Sequence, residues 1–185
     1  GEGRGGGGGG GTPPGFASGF GQEGVRALDA FVRNGGTLVT FARAGALAIE
    51  ELSLPVRNVV EDVPTTEFWS PGSTLRVRVD TADPLAWGMP EDALATFLQG
   101  NHVYQLVPVA ENERARRVVT FASRDLLRSG WLHGEDIIAD KAAMVAVEHG
   151  RGQVVLIGFR AQHRAQTHGT FKLVFNALVG GPPGM

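Results

Sequence analysis

The chain has 185 residues, of which 42% are hydrophobic and 19% are charged, a balance typical of one globular domain. Its formal net charge is −2, so no basic field is available to hold a nucleic acid. Cysteine is absent, which excludes disulfides, thiolate metal sites and a cysteine nucleophile. The longest apolar runs are far shorter than the roughly 20 residues that span a bilayer, so we expect no transmembrane segment.

The two ends of the chain are rich in glycine and proline. Residues 1–21 are mostly glycine, with Pro13 and Pro14, and this composition predicts a flexible linker or loop. The sequence begins without methionine, so we expect it to be a fragment of a longer parent protein. Residues 22–180 are predicted to form one α/β domain, and residues 181–185 a short tail.

The first part of the domain predicts helices that alternate with a buried strand. Residues 23–36 carry apolar side chains at helical spacing and close on Gly35-Gly36, which is typical of a helix C-cap. Residues 37–41 (TLVTF) are the kind of short apolar run that is buried in a parallel sheet, and residues 45–52 favour a helix. This order predicts an α/β fold with an open, mostly parallel sheet and flanking helices. Such a sheet normally opens with a strand, so we expect the upstream chain to supply one that is missing here.

The second part of the domain predicts further strands and a last helix. Residues 71–80 alternate apolar and charged side chains as a half-exposed strand does, and a short helix is predicted near Glu91 to Phe97. Residues 101–109 and 115–122 are predicted strands. Two apolar runs flank a turn at residues 149–152, which predicts a C-terminal β-hairpin. The last helix is predicted over residues 170–178.

The sequence has neither of the two common zinc-peptidase spacings nor a nucleophile in the turn after the strand TLVTF. The five histidines form neither of the two common zinc-peptidase spacings, and only His133 with Asp136 comes near one, so we expect no metal site. An α/β enzyme would place its nucleophile after the strand TLVTF, where this sequence has Ala42-Arg43-Ala44-Gly45, without a hydroxyl or a thiol. Arg43 is the residue of that turn that could hold an anion.

A polar loop follows the hairpin, in the segment GFRAQHRAQTHGTF (158–171). It lies at the carboxyl end of a predicted central strand, where open α/β sheets bind ligands. Two interpretations remain open at this point: a ligand site, or a loop in which Thr167 or Thr170 caps the last helix. The candidate ligand-binding residues are Arg43, Arg160, His163, Arg164 and His168.

Several collinear segments resemble the C-terminal region of bacterial zinc carboxypeptidase-like proteins of the carboxypeptidase A class. The segments are LDAFVRNGGTLVTFARAGALAIEELSLPVRNV, SPGSTLRVRVDTADPLAWGMP, SGWLHGED and GRGQVVLIGFRAQHRAQTHGTFKLVFNAL. In that family a class I glutamine amidotransferase-like domain follows the peptidase domain. The resemblance therefore implies a flavodoxin-like or class I glutamine amidotransferase-like sheet, and a secreted or periplasmic parent that removes C-terminal residues from peptides with one zinc ion.

The resemblance also implies what this chain does not do. The zinc motif belongs to the upstream domain, so we expect zinc in the parent and no cofactor here. Amidotransferase-like domains use a Cys-His-Glu set; the cysteine position falls near Arg43 and Ala44 in this sequence, and His163 corresponds to the histidine. We therefore expect a non-catalytic accessory domain that packs on the upstream peptidase domain or binds a peptide or small molecule. The alternatives are a stand-alone hydrolase or ligand-binding domain using Arg160, His163 and His168, and a structural oligomerisation module.

Overall fold

The computed structural model describes residues 21–108 and 115–180 of the chain. Its helices are α1 (Gly21–Arg33), α2 (Ala44–Glu51), α3 (Glu135–Ile138) and α4 (Phe171–Val179). Its strands are β1 (Thr37–Phe41), β2 (Val56–Asn58), β3 (Gly72–Val79), β4 (Asp92–Leu98), β5 (Tyr104–Leu106), β6 (Ala115–Phe121), β7 (Leu127–Gly130), β8 (Ala142–His149) and β9 (Gly152–Ile157). None of these helices is long and apolar enough to cross a membrane.

The strands form one mixed, mostly antiparallel sheet with the order β1-β9-β8-β6-β3-β4. β2 pairs with β5, β5 also pairs with β8, and β7 pairs with β3. Among the strands described, only β1 and β9 pair in parallel, with Thr37 opposite Gln153 and Phe41 opposite Ile157. The prediction of a mostly parallel sheet is therefore wrong, while the α/β class is confirmed. The physical reason lies beyond α2. A parallel pair needs a crossover, usually an α-helix, whereas residues 150–151 alone join β8 to β9, and the β3–β4 connection holds only a three-residue 3-10 turn.

The core lies on both faces of the central strands. Alternate residues of β9 point to opposite sides: Val154 and Leu156 pack in a cluster with residues of α1 and α2. Val155 and Ile157 pack on the other side, in a cluster that includes residues of α4. All six residues of β9 are buried, which explains why its sequence is a continuous apolar run instead of an alternating one.

Most of the predicted helices and strands are present in the structure. The predicted helices at 23–36, 45–52 and 170–178 are confirmed as α1, α2 and α4, although α1 begins at Gly21, inside the predicted linker. The strands predicted at 37–41, 71–80 and 115–122 and the C-terminal hairpin are confirmed too. The rest of the predicted linker, residues 1–20, and the tail, residues 181–185, lie outside the described residues.

Two local predictions are wrong. The helix predicted near Glu91 to Phe97 is strand β4, which pairs along its whole length with β3. Its segment EDALATFL has an acidic start typical of a helix, but pairing with β3 buries Ala95 and Phe97 in the core, and this tertiary gain outweighs the weak local preference. The strand predicted at 101–109 is reduced to β5, because residues 101–103 are not in a strand. Residue 109 lies outside the described residues.

The hairpin turn depends on its glycines. Gly150 has φ +64°, and a Cβ at this position would lie 2.6 Å from the Cα of Arg33 at the end of α1. A Cβ on Gly152 would collide with the carbonyl oxygens of Val32 and Gly36. The glycines therefore serve the close approach of the hairpin to α1 as well as the turn itself.

Candidate functional site

The two parallel strands end side by side and define one edge of the sheet. The backbone N–H of Ala42, just after β1, donates to the carbonyl of Ile157 at 2.7 Å. The backbone N–H of His102 donates to the carbonyl of Gly158, just after β9, at 2.8 Å. This second bond brings the segment between β4 and β5 to the carboxyl ends of the parallel strands, which is where open α/β sheets bind ligands.

A cavity of about 350 Å³ opens beside that segment. This volume lies at the small end of the range of ligand pockets, about 300–1,000 Å³. Its walls come from the β1–α2 turn, from the chain after β2 and from the β4–β5 connection. The lining includes two charged side chains, two aromatic ones and two buried polar ones: Arg43, Glu61, Phe68, Trp69, Asn101 and His102.

Two buried polar side chains in this lining have atoms without a hydrogen-bond partner. Asn101 is 3% exposed, and neither its side-chain nitrogen nor its side-chain oxygen makes a hydrogen bond within the described protein. His102 is 6% exposed, and its Nδ1 is unpartnered in the same way. Buried polar groups are nearly always satisfied, so these three atoms are exceptions, and they belong to two residues of the cavity wall.

Arg43 brings a positive charge to the cavity wall and Glu61 a negative one. The exposed side chain of Arg43 lies across the β4–β5 connection, since a Cβ on Gly100 would lie 3.2 Å from the Arg43 Cδ. Burial, and secondly the positive charge of Arg43, lower the pKa of His102 below its ordinary value. His102 is therefore neutral at pH 7, so its ring can donate or accept but adds no charge.

The turn between β1 and α2 bends as a nucleophile-bearing turn does. Ala42 is a non-glycine residue with φ +48°, held between the end of β1 and the start of α2. Reactive side chains are often carried on sharp strand-to-helix turns of this kind. The bend lies at Ala42, next to the position near Arg43 and Ala44 where the resemblance places the cysteine. The side chain at the bend is a methyl group, which is not a nucleophile.

Behind this turn, a buried tyrosine supports the site. The rings of His102 and Tyr104 meet edge to face with centroids 5.9 Å apart. Tyr104 is fully buried, its hydroxyl has no partner among the described residues, and burial raises the pKa of its phenol. A Cβ on Gly45 would lie 2.5 Å from that hydroxyl, so the glycine at the start of α2 makes room for it.

An aromatic wall closes the other side of the cavity. Trp69 exchanges backbone hydrogen bonds with His133, at 3.1 and 2.9 Å, and its ring packs edge to face on Trp131 with centroids 6.0 Å apart. Phe68 packs in the same manner on Phe97, at 6.2 Å. The wall is therefore held by backbone bonds and by contacts between its own aromatic rings and their neighbours, and it does not need a ligand to order it.

The polar loop after β9 is anchored to β4. The backbone N–H of Arg160 donates to the carbonyl of Thr96 at 3.0 Å, and the Thr167 hydroxyl donates to the carbonyl of Leu94 at 2.9 Å. The Thr170 hydroxyl donates to the carbonyl of Ala161 at 2.8 Å, within the loop. Neither threonine makes a side-chain capping bond to α4, so these hydroxyls fasten the loop to the sheet and to itself instead.

The structure separates the candidate residues predicted from the sequence. Arg43 lines the cavity with Asn101 and His102, and none of Arg160, His163, Arg164 and His168 is in that lining. His163 and Arg164 lie in a single 3-10 turn, and the Nε of Arg160 is buried without a partner among the described residues. His168 lines a separate open groove beside α4.

Residues 21–108 and 115–180 contain no group of three histidine, aspartate or glutamate side chains placed to hold a metal ion. The expected absence of a metal site stays a prediction for the chain as a whole.

The sequence matches no family model and no curated protein. Among solved structures, the chain is similar to the cytoplasmic protein STM3548 from Salmonella typhimurium, with a TM-score of 0.51 and 16% identity over 86% of this chain and 60% of that one. It is also similar to a β-galactosidase from Bacillus circulans sp. alkalophilus, with a TM-score of 0.51 and 13% identity over 88% of this chain and 21% of the enzyme. A putative ThuA-like protein from Bacteroides uniformis has a TM-score of 0.47 and 16% identity, over 87% of this chain and 64% of that protein. At these identities the first two matches show a shared α/β fold and nothing about activity.

Sequence reasoning identified Arg43 but missed the residues around it. Asn101 and His102 stand at the start of NHVYQLVPV, which has the composition of a strand, and were assigned to one. The available signal was the Gly100-Asn101 pair, which favours a turn immediately before the apolar run. Only the sheet topology places that turn against the end of β9.

Proposed function

We propose that this chain is a non-catalytic, ligand-binding domain with a class I glutamine amidotransferase-like fold. The observation that carries the proposal is the cavity at the carboxyl ends of β1 and β9, which Arg43, Asn101 and His102 line. The buried side chains of Asn101 and His102 have polar atoms without a partner among the described residues, so a small shift of either side chain towards a ligand would break no hydrogen bond at those atoms.

The fold assignment within the α/β class rests on two supports. The strand–turn–helix unit at Ala42, with its positive φ, lies where amidotransferase-like domains carry their cysteine, as the sequence resemblance implies. The segments that carry the resemblance run through α1, β1, α2, β9 and α4. Because an alanine methyl group can neither attack a carbonyl nor transfer a proton, the proposed role of this edge is binding.

We further propose that the domain is an accessory part of an extracytoplasmic zinc metallocarboxypeptidase-like protein, which removes C-terminal residues from peptides. The support for this is the collinear resemblance alone. The zinc and the peptide-cleaving residues would then belong to the upstream domain of the parent, and this chain would bind a ligand or pack against that domain.

The packing role has its own support in α4. The outer face of this helix exposes Phe175, Leu178 and Val179, which are 60%, 67% and 84% exposed, and Trp87 beside it is 68% exposed. The side-chain amide of Asn176 donates to the carbonyl of Trp87, so helix and tryptophan form one surface. Exposed apolar surface of this kind favours contact with another domain or another copy of the chain. It therefore supports packing on the peptidase domain and also the alternative of a structural oligomerisation module.

The binding proposal is tested by a screen of small polar fragments against the isotope-labelled chain, read by amide NMR shifts. Binders should shift the resonances of the cavity residues, and Asn101→Ala should remove those shifts. Fragments that bind only elsewhere, or the absence of any binder, would contradict the proposal.

Zinc content and carboxypeptidase turnover, measured for this chain and for the parent, test the accessory role. Metal and turnover should be found in the parent alone.

A further inference from the structure

Strand β1 lies at one edge of the described sheet. It pairs with β9 on one side and with no described strand on the other side, which we call the free edge of β1. Its sequence TLVTF has no charged residue and no proline, and its register with β9 runs without a bulge along the whole strand. Natural sheets usually protect an exposed edge strand with one of these devices, so β1 has the features of a strand that another strand covers.

The free edge carries backbone groups that are available for pairing. The backbone N–H of Ala42 donates to the carbonyl of Ile157, so the even-numbered residues of this stretch direct their backbone groups to β9. Successive residues of a strand alternate in this respect, so Thr37, Val39 and Phe41 direct theirs to the free edge. No described residue forms a hydrogen bond with the N–H or C=O groups of these three residues. A neighbouring strand would pair with them.

A mostly apolar cavity of about 250 Å³ lies along the free edge. It is lined by residues 38–41 of β1, by residues of α1 and α2, and by no described residue of β9, so it lies on the side of β1 away from β9. Val25 and Leu28 lie on the same face of α1 as Val32, which is buried in the core, but they line the cavity instead. Leu47 of α2 lines it as well and is 40% exposed. The two helices therefore extend past β1, over the space that a neighbouring strand would fill.

The opposite face of β1 is also covered by a helix. α4 packs on β1 from the side opposite to α1 and α2, and its Val174 packs against the same core cluster as Val39 and Phe41. Leu178, one turn after Val174, is 67% exposed. A strand beside β1 would thus lie between helices on both faces. This is the environment of a parallel strand with apolar side chains on both faces.

A bare strand fits this space better than a second copy of the chain does. Two copies that paired through β1 would bring two sets of α1, α2 and α4 to the same junction, where α1 and α2 already extend past the strand. A strand that precedes α1 in the chain brings no such helices, and consecutive strands usually lie side by side. Because β9 occupies one side of β1, the free edge is the place left for it.

We infer that the free edge of β1 binds an uncharged, apolar strand of the parent protein, which precedes α1 in the chain and runs parallel to β1. This rests on the proposal above that the domain is part of a longer protein. Residues 1–20 are mostly glycine and include Pro13 and Pro14, a composition that disfavours a buried strand. The strand is therefore assigned to the chain before residue 1, and with α1 and β1 it completes a β-α-β unit.

Hydrogen exchange of the backbone amides, measured residue by residue in this chain and in the parent, tests the inference. In this chain alone, the outward amides of Thr37, Val39 and Phe41 should exchange fast, and the inward amides of Leu38 and Thr40 should exchange slowly. In the parent, the outward amides should slow by about a hundredfold or more, because exchange then requires the strand pair to open. The inward amides should change far less and serve as the internal control.

A charge in the cavity should weaken the pairing. Leu47→Glu in the parent would place a carboxylate against the incoming strand and should speed the exchange of the outward amides about tenfold or more. Because Leu47 is partly exposed, the same change should leave the melting temperature of this chain alone nearly unchanged. Ala30→Glu, at an exposed position of α1 outside the cavity lining, is the matched control and should leave the exchange rates as they are.

The outcomes separate this inference from the proposed function. Outward amides that still exchange fast in the parent, or that do not respond to Leu47→Glu, would overturn the inference, while zinc and turnover in the parent would still support the accessory role. Protection of these amides in this chain alone would overturn it too. Such protection would identify a second copy if it rises with concentration, and a segment of this chain if it does not. Protected outward amides in a parent without zinc or turnover would contradict the metallopeptidase assignment and leave the strand pairing intact.

Discussion

The backbone N–H of His102 donates to the carbonyl of Gly158, and this bond joins the β4–β5 connection to the end of β9. The approach is so close that a Cβ on Gly158 would collide with the His102 carbonyl and would lie 3.1 Å from that of Ala143. Both obstacles are backbone atoms, which cannot rotate away as a side chain can.

Gly158→Ala should therefore destabilise the domain by about 1–3 kcal/mol, the usual cost of overpacking a tight interior. It should also displace Asn101 and His102, so ligand binding should fall together with stability. Denaturant unfolding measures the first effect, and NMR shifts of the cavity residues measure the second. Gly169→Ala is the matched control, because a Cβ there meets nothing within 4 Å and the backbone is not left-handed. Equal stability of the two variants would contradict the contact.

Asn101→Ala should have opposite effects on binding and on stability. Neither polar atom of this buried side chain makes a hydrogen bond to the described residues, so the substitution deletes no hydrogen bond among them. We expect the free energy of unfolding without ligand to be unchanged or to rise by up to about 1 kcal/mol. Calorimetry without and with a cavity ligand checks this. A loss of 2 kcal/mol or more in the ligand-free protein would mean that Asn101 serves the fold instead of a site.

The buried histidine of the hairpin gives a separate prediction about stability. His149 is 1% exposed, and its Nε2 lies 2.6 Å from the carboxylate of Asp29 on α1. Asp29→Ala would leave this nitrogen buried and unpaired, which should cost about 1–3 kcal/mol. Arg33→Ala is the control, because it removes only the exposed i,i+4 partner of Asp29 and should cost less than about 0.5 kcal/mol.

The contribution of Asp29 should also depend on pH. Hydrogen bonding to His149, and secondarily to Arg33, lowers the pKa of the Asp29 carboxyl below 3.8 in the folded chain, against the opposing effect of burial. A lowered folded-state pKa stabilises the protein above the unfolded value, and this stabilisation is lost as the pH falls through the folded one. The stability gap between the native chain and Asp29→Ala should thus be constant near neutral pH and should close below pH 3.8. A gap that persists at lower pH would contradict the dependence of this contact on the ionised Asp29 carboxylate.

The sequence predicted the local elements well and the sheet poorly, for a physical reason. The helical spacing of α1 and the two apolar runs of the hairpin are signals that neighbouring residues carry by themselves. Strand direction is set by which distant segments meet. The sequence could therefore not distinguish a single parallel pair among the described strands, β1 with β9, from a wholly parallel sheet. The same limit applies to the site. Arg43 was predicted from the turn it occupies, whereas Asn101 becomes a site residue only through the bond from His102 to Gly158.

The exposed face of α4 yields a prediction about association. If Phe175 and Leu178 contact another domain or copy, replacing both with serine should lower association without loss of the fold, because both side chains are mostly exposed. Sedimentation velocity over a range of concentrations measures self-association, and co-elution with the peptidase region of the parent measures domain packing. Phe31→Ser is the control, since Phe31 on α1 is also more than half exposed. Unchanged association in both assays would leave binding, and not packing, as the role of this domain.

The last prediction uses the low pKa of His102. Burial, and then the charge of Arg43, lower this pKa below 6.5, so under acid conditions the unfolded chain takes up a proton at His102 more readily than the folded chain does. Stability should therefore fall as the pH drops below 6.5, and this part of the fall should be absent in His102→Gln, whose side chain does not titrate. Thermal unfolding of both proteins between pH 5 and pH 8 checks the difference. The melting temperatures should run parallel above pH 6.5, and below it that of the unmodified protein should fall relative to that of His102→Gln, because only the unmodified protein gains a proton at position 102 on unfolding. Parallel curves over the whole range would mean that the ring is open to water in solution, and the cavity wall beside Asn101 would then be more open than described.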